Sequence, residues 1–346
     1  MAGVVRIVQV GLGRWGLDWA SKVVREVGTV ELVGCVDKDP GGLSKACSHG
    51  FVQPEGCFES LEDALAELDF EAVLVTTELN GHAQVVHAAL EAGKHVLVEK
   101  PFALSVVEGE ALVALAAKTD RTLMVSQNYR FFPAVRAVQR LVREEELGQL
   151  VHVAIDFRRF SPPQPGRVSA ARAWAQPLLL DMAIHHFDLL RAVVPGQARS
   201  IYCRSWNPEW SGYVEPPEAT AMISFDDVVV SYRGSWLYPE RTTPWAGEWR
   251  MEFEEGELWW SSRSDRHDQR QAAEDQVWHY THDGKRTGVE LPRLEFVDRA
   301  GVLAAFAESV MTGTEPESSG GDNLGSLSLA YAAVASAANG ELVELD

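Results

Sequence analysis

Short apolar runs and longer amphipathic stretches take turns along the first third of the chain. Ile7–Val10, Val30–Val36, Ala72–Thr77, His95–Glu99 and Leu123–Ser126 are rich in Val, Leu and Ala. Runs of this kind form strands buried on both faces, as in a parallel sheet. Helical signals lie between them, beginning with a short helix near Leu43–Ser48. Ser60-Leu61-Glu62-Asp63 and Ser105-Val106-Val107-Glu108 are capping boxes, with a hydroxyl at the N-cap and an acid three residues on. The first opens a helix to Leu68 and the second a helix to Lys118. His82–Ala92 is a helix stopped by Gly93, the residue favoured at a left-handed C′ position. This alternation predicts one doubly wound α/β domain of the Rossmann type over residues 1–127.

The pattern then changes. A helix over Ala134–Glu145 leads into the strand Leu150–Phe157. Ser161-Pro162-Pro163-Gln164-Pro165-Gly166 cannot be regular structure. Leu179–Val194 reads as a helix closed by Pro195-Gly196. From Arg199 to about Leu291, strand candidates follow one another without helices. Phe225-Asp226-Asp227-Val228 marks one hairpin, and Gly256 joins Trp249–Phe253 to Glu257–Trp260 in another. Helices near Glu295–Met311 and Asn323–Asn339 finish the chain. Residues 128–346 are thus predicted to form an α+β domain with a large, mostly antiparallel open sheet. In it Tyr232, Gly234 and Trp236 alternate with Ser231, Arg233 and Ser235, and Trp249, Trp259, Trp260 and Trp278 add aromatic area. One face can pack the helices. The other is expected to need a partner, which predicts a homo-oligomer, dimer or tetramer, built on this sheet.

At 346 residues the chain is long for a single core, in keeping with two domains. Its net charge of −19 offers no basic field for nucleic acid or for an anionic membrane surface. No apolar run reaches membrane-spanning length, and no signal segment is legible. Cys35, Cys47, Cys57 and Cys203 form no CxxC pair and no disulfide framework, so they read as separate thiols. Cys47-Ser48-His49 is too sparse for zinc, and no metal is expected. The reading is a cytoplasmic protein acting on a small molecule.

The chemistry begins at Val10-Gly11-Leu12-Gly13-Arg14-Trp15-Gly16. Gly11 permits the tight turn out of a buried strand. Gly13 lets the backbone approach a pyrophosphate, and Gly16 lets the next helix pack closely. The N–H groups and positive dipole at that helix start hold phosphates. Asp37 ends the next apolar run, where its carboxylate can accept the ribose hydroxyls of an adenosine. A plain strand–turn–helix explains the glycines but not the placement of Asp37. Asp37 would repel a 2′-phosphate, which favours NAD, while Lys38 next to it leaves NADP open.

Two further constellations stand out. Glu99-Lys100-Pro101 sits at the C-terminal end of a parallel strand, where such sheets bind ligands, so Lys100 is directed at the cofactor crevice; the plainer alternative is a solvated strand end. Asp181, His185 and Asp188 are spaced to share one helix face, where a carboxylate can orient an imidazole. A surface ion pair, or a zinc site lacking its third ligand, explains the same spacing. His186 reads as a packing residue.

Together these motifs resemble the glucose–fructose oxidoreductase, inositol dehydrogenase and rhizopine-catabolism (Gfo/Idh/MocA) family over almost the entire chain. The resemblance rests on Gly11-Leu12-Gly13-Arg14-Trp15-Gly16, Glu99-Lys100-Pro101 and Asp181-x-x-x-His185-x-x-Asp188. Softer matches are His82-Ala83-Gln84, Ala92-Gly93-Lys94-His95-Val96, Asn128-Tyr129-Arg130-Phe131 and Asp322-Asn323-Leu324. It implies a Rossmann domain followed by an open-sheet domain with the active site between them, NAD or NADP as cofactor, and a sugar, cyclitol or related polyol or carbonyl substrate. Lys100, Asp181 and His185 would be the catalytic group. The cofactor would be lined by Gly11, Leu12, Gly13, Arg14, Trp15 and Gly16, with Asp37, Lys38, Thr76, Thr77, His82, Glu99 and Lys100. Arg172 and Trp174, and more weakly Tyr129, would touch substrate alongside the catalytic three.

Two departures bear on this. Many members carry Thr-Pro-Asn where this chain has Thr77-Glu78-Leu79, so an amide contact is lost and Glu78 adds negative charge near the phosphates. A glycine triplet often precedes the catalytic helix, where this chain has Ala175-Gln176-Pro177. The expected activity is hydride transfer between nicotinamide and a carbinol carbon, with His185 as general base, Asp181 holding the imidazole and Lys100 stabilising charge on the oxygen. A catalytically silent dinucleotide-binding sensor, or a structural subunit, is the rival on the same fold. The intact Lys100, Asp181 and His185 count against the sensor, which needs none of the three; a bound nicotinamide would discount the subunit.

Overall fold

A computed structural model describes residues 3–162, 175–237, 239–263 and 275–345. Its internal contacts divide the chain into two compact units, Met1–Asn128 with Glu295–Leu324, and Tyr129–Leu294 with Gly325–Asp346.

The first unit is built on six parallel strands: β1 Val5–Val10, β2 Val30–Val36, β3 Cys57–Phe58, β4 Ala72–Val75, β5 His95–Val98 and β6 Leu123–Val125. Their spatial order is β3-β2-β1-β4-β5-β6, so the winding reverses between β1 and β4. Ligands of doubly wound sheets bind outside the strand ends at that reversal. β4 is buried at every position, as its unbroken apolar run requires.

Five helices alternate with these strands. α1 Arg14–Asp18 continues through a π-helical turn, Trp19–Val23, and a tight turn, Val24–Glu26. α2 Pro40–Ser48 is capped by Asp39, which accepts from Gly41 N–H, with Pro40 in the first turn. α3 Leu61–Glu67 and α5 Val106–Thr119 begin at the two capping boxes. Asp63 N–H donates to Ser60 Oγ at 3.1 Å, and Glu108 N–H to Ser105 Oγ at 3.1 Å. α4 Leu79–Glu91 starts a turn earlier than the sequence pattern predicts, and Gly93 after it takes φ 71°. β3 is only two residues long, too short for a periodicity to announce it.

One correction concerns the cysteines. Cys47 and Cys57, expected as separate thiols, lie against each other, with their sulfurs in contact and their Cα atoms 7.4 Å apart. Pairing of β2 with β3 brings Cys57 beside the end of α2, a proximity the spacing in sequence does not reveal. Cys35 and Cys203 are buried free thiols, and burial pushes each up to about 12.

The second unit carries α6 Pro133–Arg143 and β7 Leu150–Arg158. A helical turn over Leu178–Ala183 then opens into α7 Ile184–Val193. The remaining strands are β8 Ala198–Trp206, β9 Glu218–Phe225, β10 Val229–Ser235, β11 Glu248–Phe253, β12 Gly256–Ser261, β13 Gln276–Tyr280, β14 Arg286–Gly288 and β15 Val343–Glu344. They form one nine-stranded sheet in the order β14-β13-β12-β11-β7-β10-β9-β8-β15. Among the described strands of this sheet, only β7 with β10 is parallel. α8 Asp298–Thr312 belongs to the first unit, where it touches β1 and β5, and Val302, Leu303 and Phe306 are buried. A single cut after residue 127 therefore leaves out a returning segment. α9 Gly320–Asn339 supplies residues to both units.

The sheet also corrects the expected aromatic surface. Tyr232, Trp249 and Trp260 point to the buried side, where the two tryptophans stack with ring centres 4.6 Å apart. The opposite side carries Asp156, Arg158, Ser231, Arg233, Glu248, Arg250 and Trp259 around a hollow of about 500 Å³. Trp278 is paired with Trp259 there, and Met222 and Val229 are exposed. This face mixes charge with a few apolar groups. The alternation that buries one residue exposes the next, so counting tryptophans overstates its aromatic content.

Candidate active site

The glycine loop of the first unit is fixed from below. Gly11 takes φ 100°, and a side chain there would press on Thr76 and Thr77 backbone at 2.6–2.7 Å. A Cβ on Gly16 would lie 2.0 Å from Gly11 O, which leaves no room for any other residue. Gly13 differs: nothing lies within 4 Å of its missing Cβ, so the space beside it is open to a ligand. Thr76 is buried and supports the loop, donating from Oγ1 to Gly11 O at 2.7 Å. Gln9, which sequence reading left without a role, is buried in β1 and donates from Nε2 to Gly16 O at 2.8 Å and Thr76 Oγ1 at 2.9 Å. A lone amide inside the apolar run Ile7–Val10 is the available signal.

Asp37 lies at the end of β2. Its Oδ2 accepts from Leu12 N–H and its Oδ1 from Asp39 N–H at 2.8 Å. A carboxylate has about four acceptor positions, so capacity for ribose hydroxyls remains. Lys38 and Arg14 are exposed, and Thr77 Oγ1 is buried with no hydrogen-bond partner among the described residues. An orphaned hydroxyl, an open cradle at Gly13 and an acid at the neighbouring strand end fit a dinucleotide. Glu78, in place of the family's proline, is exposed at the N-cap of α4 and makes no capping bond.

At the end of β5, Glu99 is buried, and its Oε1 accepts from Trp15 Nε1–H at 2.8 Å and Trp19 Nε1–H at 2.7 Å. Lys100 follows, half-buried, in a cis peptide with Pro101. His82 is buried between Pro101 O, 2.7 Å from Nδ1, and Thr77 O, 3.0 Å from Nε2. Burial lowers its basicity and outweighs the carbonyls. The ring ties the start of α4 to the strand end that carries Lys100.

In the second unit, His185 lies on α7 and is buried, its ring stacked on Tyr129 with centres 4.2 Å apart and planes within 7°. Arg263 Nη1 donates to Tyr129 Oη at 2.7 Å, and its guanidinium sits 4.7 Å from that ring. Arg159 lies over Trp245 at 4.1 Å. Arg263 thus borders the His185–Tyr129 stack and also faces Trp245, 5.8 Å away, and no sequence motif singled out these arginines. Asp181 is half-buried in the π-helical turn before α7. Asp188 is used differently from its neighbour in the motif. Its carboxylate takes Arg130 Nε at 2.7 Å and Nη2 at 2.7 Å, and Ser326 Oγ at 2.8 Å. His186 is fully buried between Tyr232 Oη and Trp245 O, and burial pushes it down to about 4. Gln176, before the helix, takes φ 55°. Arg172 and Trp174 lie outside the described residues.

Comparison with known proteins agrees with the motifs. Residues 5–127 match the model of an oxidoreductase family with an NAD-binding Rossmann fold, and residues 135–258 match the C-terminal domain model of the same family. The chain belongs to the Gfo/Idh/MocA oxidoreductase family. Among its relatives, scyllo-inositol 2-dehydrogenase (NAD⁺) of Bacillus subtilis is 26% identical over 99% of this chain and 96% of its own. D-apiose dehydrogenase of Paraburkholderia graminis is 26% identical over 93% of this chain and 84% of its own. An oxidoreductase of Agrobacterium radiobacter, solved with NAD⁺, L-tartaric acid and magnesium, shares the fold. Its TM-score is 0.83 at 19% identity over 98% of both chains. Among the described residues, no helix is long and apolar enough to cross a membrane, and no cluster of His, Cys, Asp and Glu could hold a metal ion.

Proposed function

We propose that this family member moves hydride between NAD and a sugar, cyclitol or related polyol or carbonyl compound. The observation that carries the reading is the joint presence of the dinucleotide loop, Lys100 at the end of β5, and Asp181 with His185 at α7. Full-length likeness to an inositol dehydrogenase and likeness to a D-apiose dehydrogenase support the substrate class. A silent sensor needs none of the three catalytic side chains.

Gly13, the first turn of α1 and Asp37 would hold the dinucleotide, with Arg14, Trp15, Lys38, Thr77 and His82 around it. NAD, when bound, accepts or returns a hydride. In oxidation, His185 takes the hydroxyl proton, Asp181 stabilises the imidazolium, and Lys100 hydrogen-bonds the oxygen as negative charge develops. Tyr129 fixes the plane of the imidazole by stacking on it. Arg172 and Trp174 are assigned to the substrate pocket on the resemblance. Incubating the protein with a panel of aldoses, cyclitols and their keto forms, with NAD⁺ or NADH, tests the reading by the absorbance of reduced nicotinamide.

NADH should bind more tightly than NADPH, because Asp37 repels a 2′-phosphate and accepts a 2′-hydroxyl. Titration calorimetry with both decides it, and equal or tighter binding of NADPH defeats it. We also assign a homo-oligomer, dimer or tetramer, to the charged and apolar face of the nine-stranded sheet. Light scattering at micromolar concentration should give a multiple of the 38.1 kDa chain mass; a monomer contradicts it. A cytoplasmic location, where NAD(H) is abundant, goes with this function.

A further inference from the structure

The first turn of α1 carries an indole held in one orientation. The edge of Trp15 is pinned by its bond to Glu99 Oε1 at 2.8 Å, an oxygen that Trp19 also reaches at 2.7 Å. One face is backed by Arg299 of α8, whose guanidinium lies 4.2 Å from the ring centre. Arg299 is itself held by Asp18 through Nη2, and its side chain is only 11% exposed. Trp15 nevertheless remains 44% exposed. A large aromatic side chain that is fixed at its edge and backed on one face offers its other face as a rigid surface.

Its position in the sheet says what that surface meets. Trp15 follows the loop leaving β1, and Glu99 follows β5, so the indole reaches along the strand ends from β1 across β4. Asp37 lies on the other side of β1, at the end of β2. A dinucleotide bound across such a sheet puts its adenosine at the acid and its second nucleoside beyond the reversal. We propose that the open face of Trp15 is the floor on which the nicotinamide ring stacks, with Glu99 and Arg299 as positioning residues that hold the floor flat. The inference rests on the NAD reading above. Because the ring is already immobilised, stacking costs it little rotamer freedom.

The test compares NADH with ADP-ribose, which lacks the nicotinamide, by calorimetry on the full chain. Trp15→Leu should weaken NADH by about 3- to 10-fold, the usual worth of an aromatic pair, and leave ADP-ribose within about twofold. Arg299→Met should give a smaller loss of the same kind, and Arg299→Lys, which keeps a cation over the ring, should recover it. Equal weakening of both ligands by Trp15→Leu would make Trp15 a support of the phosphate loop and overturn the proposal. So would unchanged binding of both. Trp15→Phe keeps a ring at the site; if the leucine variant fails to fold, a phenylalanine variant that weakens both ligands equally overturns the proposal, and one that weakens only NADH sustains it. If the unsubstituted protein binds neither ligand, the NAD reading falls first; if it binds both, only the stacking assignment is at stake.

Discussion

His185→Ala is expected to lower turnover by about 10²–10⁴, the usual worth of a positioned general acid–base, while NADH binding stays within about twofold. The imidazole lies on α7, stacked on Tyr129, and the reading gives it the substrate's proton rather than the dinucleotide. Lys100→Met should also cost turnover, and the two losses should be less than additive if both groups act on one oxygen. Steady-state kinetics on the most active substrate, with calorimetric NADH titration of each variant, separates these effects. Full activity in His185→Ala would remove histidine from the proton transfer and leave Lys100 as the better acid–base.

Asp188→Ala should damage the fold rather than the chemistry. Asp188 and Arg130 have side chains only 1% and 5% exposed and are joined by two 2.7 Å bonds. Removing one partner leaves a buried charge uncompensated, which costs about 3–5 kcal/mol. Replacing both, as in Arg130→Met with Asp188→Leu, should recover much of that loss, because the desolvation cost disappears with the charges. A chemical-denaturation series checks the pair. A single variant as stable as the parent would mean that Arg130 finds another acceptor and that the pair does not hold α7 in place.

Much of this architecture was legible before any coordinates. The first sheet was readable because strands such as β4 are unbroken apolar runs and helices α3 and α5 open on side-chain caps at Ser60 and Ser105. The dinucleotide loop was readable because glycine is the only residue its geometry admits at positions 11 and 16. Other features depend on distant partners. Spacing placed Asp188 beside His185, yet Arg130 and Ser326 claim its carboxylate. Arg263 reaches the Tyr129 ring of the His185 stack from a strand end far away in sequence. Trp249 and Trp260 are adjacent in kind to Trp259 but lie on the opposite face, and only register decides which side each takes. The Cys47–Cys57 pair and the return of α8 to the first unit are products of tertiary packing that no local pattern encodes.

The most direct measurement of the central claim follows a labelled hydrogen. The polyol that gives the highest turnover with NAD⁺ is prepared with deuterium on its reacting carbinol carbon, and the cofactor is recovered after a single turnover and weighed by mass spectrometry. Hydride transfer predicts one deuterium retained in the reduced cofactor, with the reaction abolished or slowed by about 10²–10⁴ in His185→Ala. Reduced cofactor without the label, or tight NADH binding with no polyol oxidised and no carbonyl reduced, would contradict the account and favour a sensor on the same fold.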